Sequence, residues 1–277
     1  MGLRINTNTQ SLQAQNALGK NVRSKQENLA QLSTGQRINK ASDDAAGLAI
    51  SEKMKAEIAS QQQATRNAGD GISMIQTAEG GFQEVSNILI RLRELSMQSA
   101  SDTVGDQERQ FSDLEFQNLS EEVERIANST EFNGTKLING EGNTMSFQIG
   151  TGNVESNDRI NYQPQETSAR LSDLGISGLS VASKEDAQSN LDKIDNAINQ
   201  VNANRATLGA LQNRMQSTIN NLEIGTENLS AANSRIRDAD IASVTAELAK
   251  SNVLESAGTS VLAQANVSHQ AALGLMG

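Results

Sequence analysis

From Leu191 to Leu229 the chain steps by threes and fours through Ile194, Ile198, Val201, Arg205, Leu208, Gln212, Met215, Ile219, Leu222 and Thr226. Only Arg205, Gln212 and Thr226 interrupt the apolar rule. A repeat of 3.5 residues held over about five heptads predicts a coiled-coil seam, because slight underwinding keeps such a stripe facing its partner. The helix it defines, about 40 residues and about 60 Å at 1.5 Å per residue, cannot be folded back into a ball, so the expected shape is a rod. The same spacing recurs near the start, where Leu18, Val22, Lys25, Leu29 and Leu32 share one helical face.

Further helices follow from the same test. Residues 43 to about 99 carry Leu48, Ile50, Met54, Ile58, Ile72, Ile75, Phe82, Val85, Leu89 and Leu92, opened by Ser42, Asp43 and Asp44, good residues for a helix start. Gly69, Gly71, Gly80 and Gly81 predict a bend or a close helix contact there. A third helix, roughly 105–129, presents Phe111, Leu114, Phe116, Leu119, Val123 and Ile126. The C-terminal helix begins near Asp238 or Asp240 and carries Ile241, Val244, Leu248, Leu254, Ala257, Val261, Leu262 and Ala265.

Between 130 and 185 the period changes. Asn133-Gly134 and Asn139-Gly140 are turn dipeptides, since both residue types accept positive φ cheaply. Met145, Phe147 and Ile149, then Ile160 and Tyr162, alternate with polar residues and predict two short strands, a hairpin at about 140–165. All six aromatic residues lie between Phe82 and Tyr162, so the densest packing is expected where this element meets the long helices. The fold class is mainly α: an antiparallel helical rod with paired N- and C-terminal helices and a small β-hairpin.

Composition narrows the chemistry. Of 277 residues, 36% are hydrophobic and 2% aromatic, with one Pro and no Cys. An interior Pro costs a helix roughly 3 kcal/mol, so its near absence permits long uninterrupted helices. Without Cys there is no disulfide scaffold, thiol nucleophile or iron-sulfur site. A single histidine, His269, rules out His-rich metal sites and most Ser-His constellations, and it reads as a plain surface or packing residue. Glu121, Glu122 and Glu124 spread around a solvated helical face. No catalytic, cofactor or metal residue is expected.

The net charge of −10 is uneven. Residues 1–50 carry six basic and three acidic groups, residues 235–277 three and four, which leaves −12 on the middle. Such an acidic body repels both nucleic acid and an anionic membrane. No segment approaches the roughly 20 apolar residues of a membrane span, and no secretory signal is visible. The terminal helices each show one apolar face, yet neither has enough apolar surface to be stable alone. Each is expected to pair with the other, and the apolar surface left over must then be covered by an assembly.

The segments LRINTNTQSLQAQNAL, LSTGQRINKASDDAAGLAISEKM, LIRLRELSMQSASDT, EFNGTKLING and SRIRDADIASVTAELAKSNVLESAGTSVLAQAN together resemble bacterial flagellin. The likeness spans essentially the whole chain and lacks the variable middle that longer members insert in place of the short 150–185 stretch. It implies a filament subunit in two layers. Residues 1–43 and 240–277 would form the inner coiled-coil core, with Leu18, Val22, Leu29, Leu32, Ile241, Val244, Leu248, Leu254, Val261 and Leu262 as packing and subunit-interface residues. Residues 44–239 would form the helical rod with its hairpin.

The likeness also implies partners and a place. The partners are further copies of the chain, sibling flagellins, an export chaperone, the filament cap and hook-junction proteins. The chain would leave the cell unfolded through the flagellar type III system and reside in the extracellular flagellum, sheathed or bare. Arg91, Leu95, Gln98 and Glu115 match positions of protofilament contact and of recognition by a host Toll-like receptor, although Ile90 stands where the family commonly has Gln. Two other readings compete: a hook-filament junction protein, and a coiled-coil scaffold that is never exported.

Overall fold

A computed structural model describes residues 8–274, and the side chains of residues 8–267. The elements are α1 (Thr9–Thr34), α2 (Ala45–Ser99), α3 (Asp106–Ser129), β1 (Glu131–Phe132), β2 (Thr135–Lys136), β3 (Met145–Gln148), α4 (Glu155–Asp158), β4 (Arg159–Tyr162), α5 (Lys184–Arg237) and α6 (Ile241–Gly274). The chain is mainly α, with two small antiparallel ribbons, β1–β2 and β3–β4. It divides into two compact units, one of residues 1–56 with 228–277 and the other of residues 57–227, and both α2 and α5 contribute residues to each.

In the 57–227 unit the α5 stripe is the spine. Ile194, Val201, Leu208 and Met215 are fully buried, and every other stripe residue within this unit is partly buried. The deepest companions are not those the hydrophobic pattern names. Ala187, Asn190, Ala197 and Asn204 are buried beside them, where small and amide side chains let neighbouring backbone approach. Asn190 Nδ2 donates to the carbonyl of Ser180 at 2.8 Å and Asn204 Nδ2 to that of Ser168 at 3.3 Å. These polar residues are inside because they tie down the loop of residues 163–183, and burial is cheap once such groups are hydrogen-bonded.

Helix α2 runs unbroken past all four glycines. Two of them mark close contacts instead of a bend. A Cβ at Gly71 would come within 2.9 Å of Met215 Sδ, and one at Gly81 within 2.8 Å of both Ile138 Cδ1 and Thr130 Oγ1.

Helix α3 departs further from expectation, because Phe111 and Leu114 stand 68% and 66% exposed. Its buried face is Arg109, Ser112, Phe116, Ser120, Val123 and Ala127. Arg109 anchors that face through hydrogen bonds at the α2–α3 corner, and this anchor outranks two apolar side chains lying out of step with it.

The hairpin is where the pattern placed it. Met145 pairs with Tyr162 and Phe147 with Ile160. Tyr162 is buried at the junction, its hydroxyl donating to the carbonyl of Leu137 at 2.6 Å and accepting from Thr167 Oγ1 at 2.9 Å. Asn133-Gly134 forms the two-residue turn between β1 and β2, both residues at positive φ.

Candidate assembly surface on the terminal helices

Helices α1 and α6 lie antiparallel against each other, and both paired faces keep heptad spacing. On α1 the face is Ser11, Ala14, Leu18, Asn21, Lys25, Asn28 and Leu32; on α6 it is Val244, Leu248, Ser251, Glu255, Gly258, Leu262 and Ala265. Half of these positions are polar or glycine. Lys25 Nζ meets Glu255 Oε2 at 2.8 Å, Asn21 Nδ2 donates to the carbonyl of Ser251 at 2.8 Å, and Ser11 Oγ lies 3.1 Å from Asn266 Oδ1. Gly258 admits Leu18, whose Cδ1 would lie 3.3 Å from a Cβ there. The pair therefore has a polar and small-residue seam, with Leu18, Leu32, Val244, Leu248 and Leu262 as its apolar share.

The base of the pair is tied by backbone. Gly35 ends α1 in the left-handed region at φ 70°, a conformation that suits glycine. Beyond it Gln36 bridges Asp238, Arg37 N donates to the carbonyl of Arg237 at 2.7 Å, and Ala239 N to that of Gly35 at 2.9 Å. Arg237 Nη1 reaches Glu52 Oε1 at 2.5 Å, a hydrogen bond that draws the Glu52 carboxyl below its ordinary pKa. Asp43 accepts the N–H groups of Lys40 and Asn39, which lower its pKa in the same sense. Asp44 and Asp240 cap the starts of α2 and α6, accepting from Gly47 N at 2.9 Å and Ala242 N at 3.0 Å.

With the seam so constituted, the bulkiest apolar side chains face away from it. Leu12, Leu29, Ile241, Val253, Leu254, Val261 and Val267 are each between 47% and 68% exposed. Of the ten interface residues that the sequence suggests, Leu18, Val22, Leu32, Val244, Leu248 and Leu262 are partly buried, while Leu29, Ile241, Leu254 and Val261 stand in solvent. Leu12, Val253 and Val267 belong with this exposed group, and sequence reasoning missed them as interface candidates because they fall outside the apolar spacings it traced. His269 lies outside the described side chains.

The second constellation sits on α2 and α3. Arg91 donates to Glu115 Oε1 at 2.9 Å through Nε and to Glu94 Oε2 at 2.9 Å through Nη1, and Gln98 is exposed. Leu95 is not at the surface: it is 2% exposed and belongs to the core. Ile90, Met97, Phe111 and Leu114, all exposed, lie on these same two helices. Glu122 pairs with Arg125 and Glu124 with Arg170, so these acids are engaged with cations of the chain. Among the described residues no three His, Cys, Asp or Glu side chains gather as metal ligands, and no helix is long and apolar enough to cross a membrane.

Paired terminal helices with outward apolar faces and a helical, acidic body define a structural subunit that assembles with copies of itself. Comparison with known proteins says which. Residues 5–143 match the bacterial flagellin N-terminal helical region and residues 191–276 the bacterial flagellin C-terminal helical region. The chain belongs to the bacterial flagellin family.

It is 43% identical over 272 residues to a flagellin of Halalkalibacterium halodurans, covering 98% of this chain and 99% of that one. It is 42% identical to the flagellar filament 30.7 kDa core protein of Treponema maltophilum, over 98% of this chain and 99% of that one. With the flagellin of Bacillus subtilis the identity is 38%, over 99% of this chain and 100% of that one. The crystal structure of Bacillus cereus flagellin superposes with a TM-score of 0.51 at 28% identity, over 57% of this chain and 88% of that one. The chain is a structural subunit of the flagellar filament, built by its homopolymerisation.

Proposed function

We propose that the outward faces of α1 and α6 are the surfaces through which copies stack, so that residues 1–43 and 240–277 form the inner layer of the filament and residues 44–239 the layer outside it. The observation carrying this reading is the group of seven large apolar side chains left in water by the helix pair. Burying them against neighbours contributes roughly 25 cal/mol per Å² of apolar area, which offsets the entropy lost on ordering the subunits.

In the same reading the chain travels unfolded through the flagellar type III system to an extracellular filament. An export chaperone, the filament cap and the hook-junction proteins meet it on the way, and sibling flagellins join it there. The Arg91–Glu115 pair with its exposed apolar neighbours is a second contact between copies, and the same patch is a surface for the host Toll-like receptor.

The test combines Leu254→Gln with Val261→Gln. Both side chains are solvent-facing, so the soluble chain should keep its helicity and urea midpoint yet fail to elongate on filament seeds. Normal filament growth by this variant rejects the reading. A parent chain that binds filament ends without ever elongating would support the junction-protein alternative instead. Receptor recognition is tested apart, with purified monomer on reporter cells: no response at saturating protein rejects it and leaves assembly untouched.

A further inference from the structure

The chain contains two Asn-Gly dipeptides only a few residues apart, and the fold treats them in opposite ways. Asn133 and Gly134 are both exposed at the tip of the β1–β2 ribbon, with φ of 50° and 78°. Nothing lies within 4 Å of where a Gly134 Cβ would be, and the Asn133 carboxamide has no hydrogen-bond partner among the described residues. Asn139 is 5% exposed, and its Oδ1 accepts from Glu141 N at 3.0 Å. Gly140 is hemmed in by Ser168 and Asp173, whose side-chain atoms would meet a Cβ at 2.9 and 3.1 Å, and Ala169 N closes the segment by donating to the carbonyl of Ile138 at 2.8 Å.

We propose that Asn133 is a site of spontaneous deamidation in the folded protein, and that Asn139 is protected from the same reaction by its packing. The Gly134 amide nitrogen loses its proton to solvent base and attacks Cγ of Asn133. The Cγ–NH2 bond breaks, and ammonia leaves with a proton taken from water. Water then opens the resulting succinimide at either carbonyl, giving aspartate or isoaspartate.

Glycine at 134 offers no side chain to shield its nitrogen. The turn must open for the attack, and a two-stranded ribbon of two residue pairs, exposed along most of its length, opens at little cost. Opening around Asn139 means withdrawing Leu137 and Ile138 from the core, where both are fully buried.

The product adds a negative charge two residues from Glu131. As isoaspartate it also routes the backbone through an extra carbon that a two-residue turn cannot hold, so the β1–β2 pairing is lost.

The test incubates the purified full-length chain in mildly alkaline buffer, folded and in concentrated urea, until the urea sample has converted at both dipeptides. Peptide mapping by mass spectrometry and enzymatic isoaspartate methylation read each position. In the folded chain, conversion at Asn133 is expected to continue and conversion at Asn139 to be lost, with Asn133→Gln removing the isoaspartate signal. Equal conversion at the two positions in the folded chain overturns the proposal. So does an Asn133 as inert as Asn139, or an undiminished isoaspartate signal in Asn133→Gln.

Discussion

Lys25 on α1 and Glu255 on α6 stand 2.8 Å apart, and among the described residues they are the only charged side chains in the two faces by which the terminal helices meet. Each is about one-third exposed, at 31% and 37%, which places the pair in the weak regime of about 0.2–1 kcal/mol. Its effect on pairing is larger than its effect on stability, because a like charge at either position must be held against the other in the seam. Lys25→Glu is expected to lower hydrogen-exchange protection along both helices, and the swap with Glu255→Lys to restore it. A swap that restores nothing shows that the pair does not set how the two helices meet.

The α2–α3 corner depends on one buried cation. Arg109, 7% exposed, donates through Nε to the carbonyl of Ser99 at 2.9 Å, through Nη2 to that of Ser101 at 3.0 Å and through Nη1 to Asp106 at 2.8 Å. It thereby satisfies the Ser99 carbonyl that the end of α2 leaves without an intrahelical partner and ties in the turn beyond it at Ser101. Hydrogen bonds to charged groups contribute about 1.5–3 kcal/mol each, so Arg109→Ala is expected to lower the urea midpoint clearly. Arg109→Lys should recover little of it, since an ammonium lacks the planar fork that reaches three acceptors at once. Urea titration of the three proteins side by side checks both statements.

The contrast between α5 and α3 shows what the sequence carries and what it hides. Sustained 3-4 spacing of large apolar residues located α5, and all of that stripe is at least partly buried, because a coiled-coil seam is a local periodic signal. Strand alternation likewise located β3 and β4. Phe111 and Leu114 were misplaced because the buried face of α3 is set by the hydrogen bonds that Arg109 makes to the end of α2, which no hydrophobic pattern reports. The pairing of the terminal helices was expected from their apolar faces, but which residues meet was only partly legible, for a related reason. Its seam is built from Asn21, Ser251, Lys25 and Glu255, and an apolar stripe selects the residues that face away from such a seam as readily as those within it.

The glycines of α2 divide into two kinds with opposite expected outcomes. At Gly69 and Gly80 no atom lies within 4 Å of where a Cβ would stand, so alanine there adds only helix propensity, about 0.5–1 kcal/mol. Gly80→Ala should therefore raise the melting temperature. At Gly81 the added carbon meets Ile138 and Thr130 at 2.8 Å, and Gly81→Ala should lower it despite the same propensity gain. Thermal melts that move in the same direction for both variants contradict this division.

The two ends of the pH scale should destabilise the chain through different groups. Hydrogen bonding to Arg237 lowers the pKa of Glu52, and backbone N–H groups of Lys40 and Asn39 lower that of Asp43. A carboxyl with a depressed folded pKa contributes stability above its unfolded value, and that contribution disappears as pH falls through the folded one. Glu52→Gln should thus flatten the acid limb of the stability curve. Tyr162 behaves inversely, because burial raises its phenol above the ordinary 10.0. The folded state then holds the proton more tightly than the unfolded state. The Tyr162 contribution is complete below about pH 10 and is lost as the pH rises from there through the folded value. Tyr162→Phe should flatten that alkaline limb while costing about 1–3 kcal/mol at neutral pH, since the carbonyl of Leu137 and the hydroxyl of Thr167 lose their shared partner. Unfolding followed across the full pH range separates the two, and a Tyr162→Phe chain with an unchanged alkaline limb would remove the phenol from the account.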